Sequence, residues 1–176
     1  IRRPPRSTHC ISSAASDVYK RQVYNWLNES NLLGSKMFDV YHSSLFGIWL
    51  MLATMVVQAM VAVRAHRRQK GGYSPGMVNP ELGQMSFAFR SHRTFQNSLE
   101  NIVPLLGMAF LAMFSGYDPL KLSIIIWIYA LARIAHMILY YKIATEKNPS
   151  PRSIPWAIGF LAGFYFMIDL GVYLLI

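Results

Sequence analysis

The chain has one cysteine, Cys10, in 176 residues. Because it lies within the first 22 positions, the remainder can form no disulfide, cysteine–metal site or cysteine nucleophile. Acids are scarce too, 8 against 17 Lys and Arg, for a formal charge of +9. Such a charge could suggest a nucleic-acid partner, but no zinc-finger spacing, RNP aromatic motif or basic region with heptads is present. The basic residues instead lie mostly in loops between apolar runs, as in a membrane protein, so nucleic acid is not an expected partner. Phosphate-binding P-loops, GxSxG elbows and HExxH helices are missing. His42, His66, His92 and His136 are scattered, and no metal site is expected. No internal repeat of fixed period or low-complexity segment occurs.

Apolar residues make up 53% of the chain and charged residues 14%, a balance that suits a small polytopic membrane protein. Residues 1–22, IRRPPRSTHCISSAASDVYKRQ, differ from the rest and lack the apolar core of a signal peptide. We read them as a foreign or disordered segment, and residues 23–176 as one membrane domain. Trp26, Tyr24 and Tyr41 suit a membrane interface. Four apolar stretches are long enough to cross a bilayer core of ~30 Å, at about 45–63, 90–114, 120–141 and 152–176. The fold class is therefore all-α, an integral membrane four-helix bundle subunit.

Gly71–Gln84 and Lys142–Pro151 read as polar loops, and Ser115–Pro119 as a tight turn. The loops after spans one and three carry Arg64, Arg67, Arg68, Lys70, Arg90, Arg93, Lys142, Lys147 and Arg152 against Glu81 and Glu146. The opposite side carries Lys36 and Lys121 against Glu29, Asp39 and Asp118. This asymmetry predicts a multi-pass protein with both termini non-cytosolic. The membrane would be the endoplasmic reticulum or another internal one in a eukaryote, and the inner membrane in a bacterium.

Two stretches place polar groups inside apolar helices. In FRSHRTFQNSLENIVP, Arg93, Asn97 and Glu100 fall at i, i+4 and i+7, on one face. In ALARIAHMILYY, Arg133, His136 and Tyr140 fall at i, i+3 and i+7, again on one face. Ionisable groups within a span normally face a bundle interior or polar cavity. A mid-span Arg133 needs a partner, and Glu100 is the expected one. These stripes could form a site, or simply orient helices through a buried Arg–Glu pair. Arg90 fits a membrane-surface anchor as well as a site residue. By position Arg152 reads as an ordinary anchor, Gln58 as an interhelical hydrogen-bonding residue, and Asp169 as an interfacial or helix-contact carboxylate. Several arginines with one carboxylate suit a zwitterionic ligand with two carboxylates and an amine, since arginine forks match carboxylates.

These two motifs and the four-span pattern resemble the membrane-associated proteins in eicosanoid and glutathione metabolism, the MAPEG family, over about residues 45–176. The resemblance is to the microsomal glutathione transferases and their relatives. It implies a homotrimer that binds glutathione between subunits near the cytosolic face. By motif position, Arg64, Arg90, Arg93, Asn97, Glu100, Arg133, His136, Tyr140 and Ser153 would be glutathione contacts. Arg152-Ser153 matches the family's Arg-Ser pair, implying that Arg152 favours the thiolate, with Arg133 the second choice for that role. Phe89 stands where the family often has Glu, and Trp156 where a Tyr is expected. The implied activity is glutathione transfer to lipophilic electrophiles, with glutathione as co-substrate and peroxidase activity as an extension. The partners are then glutathione, an electrophile or lipid, membrane lipids and further copies of the chain. Two alternatives remain: a non-catalytic lipid-binding or lipid-presenting protein of the same fold, and a structural four-span protein.

Overall fold

The computed structural model describes residues 8–69, 78–79 and 81–176. Expectations for residues 1–7, for Lys70 and for most of the glycine-rich loop that follows it lie outside the described residues. Among the described residues four helices follow in order: α1 (Thr8–Arg67), α2 (Phe87–Ser115), α3 (Pro119–Lys142) and α4 (Ser153–Leu175). Among the described residues there is no strand. All four helices are long and apolar enough to cross a membrane, and the chain is an integral, multi-pass, all-helical protein.

The chain divides into two units, residues 1–40 and 41–176. In the first, helix α1 starts at Thr8, well before the span expected at 45, and every described side chain from 16 to 40 is exposed. The second holds the bundle. Its core joins Tyr41, Ile48 and Met51 of α1 to Leu105, Ala109 and Ala112 of α2, Leu122, Ile126 and Ala130 of α3, and Phe166 and Leu170 of α4. The alanines at 109, 112 and 130 keep side-chain bulk low where helix backbones approach, a common device between membrane helices. Gly47 does the same on α1. A Cβ there would lie 2.7 Å from Ile126 Cγ2, so only glycine admits this contact unaltered. Large apolar residues such as Val103, Leu111, Phe114, Leu131 and Leu161 remain on the outer surface, where hydrocarbon can solvate them.

Local chemistry fixes the helix ends. Ser86 caps α2, its Oγ accepting the Phe89 N–H at 3.5 Å. Gly116 stops α2 in the left-handed region at φ 75°, and the Tyr117 N–H closes the turn on the Ala112 carbonyl at 2.9 Å. Two residues later Asp118 caps α3 by accepting the Lys121 N–H at 2.7 Å, with Pro119 in the first turn. The expected turn at 115–119 is therefore a helix stop followed directly by a helix start. Pro104 sits inside α2, where it removes one backbone donor.

At this turn end Asp169 is a helix-contact residue. Lys121 Nζ donates to its carboxylate at 3.0 Å, and the buried Tyr117 hydroxyl donates to the same oxygen. Burial, then the bond to Asp169, pushes the Tyr117 phenol above its ordinary pKa. Tyr41 donates to the Tyr117 carbonyl at 2.6 Å, fastening α1 to the turn. This end of the bundle is thus closed by structural contacts. The other end, where α2 and α4 begin and α3 finishes, carries the basic residues.

Candidate functional site

Arg152 immediately precedes α4 and is only 7% exposed, although it belongs to a loop. Its guanidinium lies 4.3 Å from the Tyr140 ring centroid and donates to Gln84 Oε1 at 3.0 Å and the Thr145 carbonyl at 2.8 Å. Longer bonds reach Ser150 Oγ and the Ile143 carbonyl. This is a charge held in place by an aromatic face and several acceptors, unlike a freely snorkelling anchor. Tyr140 is presented by the last turns of α3, with the His136 ring one turn earlier at a centroid distance of 5.3 Å.

His136, Tyr140, Arg152 and Ser153 line one open pocket of about 440 Å³, with Gln84, Glu146, Lys147, Ser150 and Trp156 also on its wall. That volume falls within the ~300–1,000 Å³ usual for small-molecule sites. Cationic and hydroxyl groups dominate the wall, so an anionic or zwitterionic ligand is the chemistry it can hold.

Arg90 belongs to the frame of this end rather than to the pocket wall. It donates to the Gln84 and Met85 carbonyls at 2.6 and 3.1 Å and to the Tyr141 carbonyl at 3.4 Å. Helix α2 is thereby tied to the last turn of α3, and Arg90 is a buried strut instead of a surface anchor.

The remaining candidates fall into separate places. Arg133 is buried at mid-bundle and donates to Asn97 Oδ1 at 2.8 Å and Ser98 Oγ at 3.4 Å. Glu100 is not its partner, contrary to expectation. It pairs with Arg93 at 3.5 Å, and both side chains are exposed, at 57% and 45%. The reason is rotational. The buried face of α2 runs through Arg90, Ser91, Thr94, Ser98 and Ile102, with Arg133 reaching it at Ser98 and the adjacent Asn97, and Glu100 sits about 200° around the helix from Ser98. The Arg93–Asn97–Glu100 stripe is therefore real, but its charged ends face away from the subunit core. Arg64 lies elsewhere, in a shallow surface depression with Met60, Val63, Arg67 and Arg68.

Gln58 also departs from expectation. It is 2% exposed, and its Oε1 has no hydrogen-bond partner among the described residues. It lines a cavity of about 20 Å³ with Ser98, Tyr129 and Arg133, and the Tyr129 hydroxyl is likewise unpartnered.

Sequence reasoning missed Gln84, Glu146 and Lys147 as wall residues. They lie in loops whose composition signals only polarity, and no spacing rule brings residue 84 to residue 152.

The MAPEG family model matches residues 44–172, most of the chain. The chain belongs to the MAPEG family. No curated protein matches it significantly. The match takes in α1 from residue 44 onward, all of α2 and α3, and α4 up to its last turn, so the Arg152 pocket falls inside it. The family includes glutathione transferases and also non-catalytic members.

Proposed function

We propose that this MAPEG chain is a membrane-bound glutathione transferase that binds glutathione at the Arg152 pocket and conjugates it to lipophilic electrophiles. The observation that carries the reading is the buried Arg152 guanidinium, stacked on Tyr140 beside His136 and Ser153 in a pocket of ligand size. A free thiol near pKa ~8.5 is mostly protonated at neutral pH, and an adjacent guanidinium favours the thiolate. Lys147 and the hydroxyls of Ser150 and Ser153 supply donors for carboxylates, and Glu146 is a carboxylate for an ammonium group. The electrophile, or a hydroperoxide in a peroxidase reaction, would arrive through the bilayer.

The exposed Arg93–Glu100 pair supports association with further copies of the chain, a homotrimer by the family resemblance. Ionisable groups within a span avoid lipid, so a neighbouring copy covering this stripe would satisfy them. Glutathione would then touch Arg93, Asn97 and Glu100 of one subunit and the Arg152 pocket of another. One observation favours the second reading, a non-catalytic lipid-binding protein. Much of the donor capacity of Arg152 is already committed to Gln84 and the α3–α4 loop.

The test is conjugation by the purified protein, in detergent or lipid, of glutathione to a lipophilic aryl halide. Turnover above a matched empty-membrane preparation is the expected result. Glutathione binding without turnover removes the transferase reading in favour of the lipid-binding one, and no glutathione binding at all removes glutathione transfer and peroxidase activity alike.

A further inference from the structure

Four polar groups of Gln84 are engaged, each by a different part of the site. Its Oε1 accepts from Arg152 Nη1 at 3.0 Å, and its Nε2 donates to the Tyr140 hydroxyl at 3.1 Å. Its backbone N–H donates to Glu146 Oε1 at 2.6 Å, and its carbonyl accepts from Arg90 Nη1 at 2.6 Å. The amide orientation follows from chemistry. A guanidinium has only donors, so Oε1 must face Arg152, and the NH₂ group is left for the Tyr140 oxygen. The neighbouring Gly83 makes room for this arrangement. A Cβ at position 83 would lie 2.8 Å from Glu146 Oε1, so glycine lets that carboxylate reach across to the chain.

We propose that Gln84 is a positioning residue whose side-chain amide fixes the Arg152 guanidinium against Tyr140 at the pocket wall without neutralising its charge. The proposal rests on the glutathione-transferase reading of the pocket. A carboxylate at position 84 would hold Arg152 equally well, but would offset the positive charge that favours a thiolate. An apolar residue would leave Arg152 to the loop acceptors Ile143, Thr145 and Ser150 and to the Tyr140 ring, free to shift along it. A neutral amide both orients the guanidinium and preserves its charge.

The experiment compares wild type, Gln84→Leu and Gln84→Glu in the assembled membrane protein, by two readouts. The first needs no glutathione: the rate at which phenylglyoxal modifies Arg152, followed by mass spectrometry relative to Arg133. The second is the pH midpoint of thiolate absorbance with glutathione bound, alongside turnover and the glutathione Kd.

Gln84→Leu should speed Arg152 modification severalfold. It should also raise the thiolate midpoint by about one pH unit and lower turnover about tenfold, while Kd moves less than about threefold. Gln84→Glu should leave Arg152 as slowly modified as in wild type, yet raise the midpoint as well. If Gln84→Leu does not assemble, Gln84→Asn takes its place, since it keeps an amide but falls one methylene short. Unchanged Arg152 modification in Gln84→Leu or Gln84→Asn overturns the clamp. Faster modification with an unchanged thiolate midpoint overturns the positioning role and leaves the glutathione reading standing. A wild-type complex with no thiolate overturns both.

Discussion

At the residue scale, the chemistry of the site turns on what surrounds each charge. Arg152, Arg133 and Arg90 are all buried, yet they have different surroundings: an aromatic face with an amide, a pair of side-chain oxygens, and backbone carbonyls. Only the first lines the pocket at the basic end. Glu100 belongs to the outward stripe. If a neighbouring subunit brings glutathione to that stripe, Glu100→Gln should weaken glutathione binding about ten- to a hundredfold by calorimetry, the scale of a lost charged hydrogen bond. Unchanged affinity would place Glu100 outside the site.

Gln58 gives a second residue-scale prediction. The 20 Å³ cavity beside it has room for one water, and the unpartnered Gln58 and Tyr129 oxygens can bind it alongside Arg133. Gln58→Met should therefore lower the melting temperature in detergent, because it removes one of the water's partners. A rise would show that the cavity is dry and that the amide is simply an unsatisfied group.

At the element scale, the helices were readable in the sequence because each bundle helix needs an uninterrupted apolar run long enough to span lipid. Their ends were marked by residues with one job each, Ser86 and Asp118 as caps and Gly116 as a stop. The upstream length of α1 was not readable, because residues 8–40 hold no long apolar run and the described side chains from 16 to 40 are all exposed. Periodicity correctly put Arg93, Asn97 and Glu100 on one face. It could not say which face of α2 meets α3, and the Arg133–Glu100 pairing failed on that point. Similarly, His136 and Tyr140 were readable as a turn-spaced pair, whereas Gln84 meets both Glu146 and Arg152 only because the loops fold back over the bundle end.

Gly47 tests the packing of α1 directly. Gly47→Leu must displace Ile126, and overpacking of this kind typically costs about 1–3 kcal/mol. Thermal melting in detergent should drop accordingly. A variant as stable as wild type would mean that α1 and α3 do not approach as closely as described.

At the scale of the whole molecule, the basic end of the bundle and the exposed ionic stripe make separate demands. Positive loops are retained on the cytosolic side, so a cysteine at Asn148 should react with a membrane-impermeant maleimide added from the cytosol. Reaction only from the opposite side would invert the topology. The Arg93–Glu100 stripe asks for a covering surface, and native mass spectrometry from mild detergent should return three copies per particle. A monomer in several detergents would leave that stripe to a water-filled cavity or a different partner.

The thiolate itself provides the most direct check on glutathione transfer. Ultraviolet absorbance of glutathione bound to the wild-type protein, followed against pH, should show thiolate forming well below the ~8.5 of a free thiol. In Arg152→Ala the midpoint should return toward that value while Kd changes little, and in Arg152→Lys recovery should be partial, since an ammonium keeps the charge but loses the planar fork. Identical titrations in wild type and Arg152→Ala would contradict the assignment of thiol activation to Arg152. A wild-type complex with no thiolate at neutral pH would contradict glutathione transfer by thiolate activation.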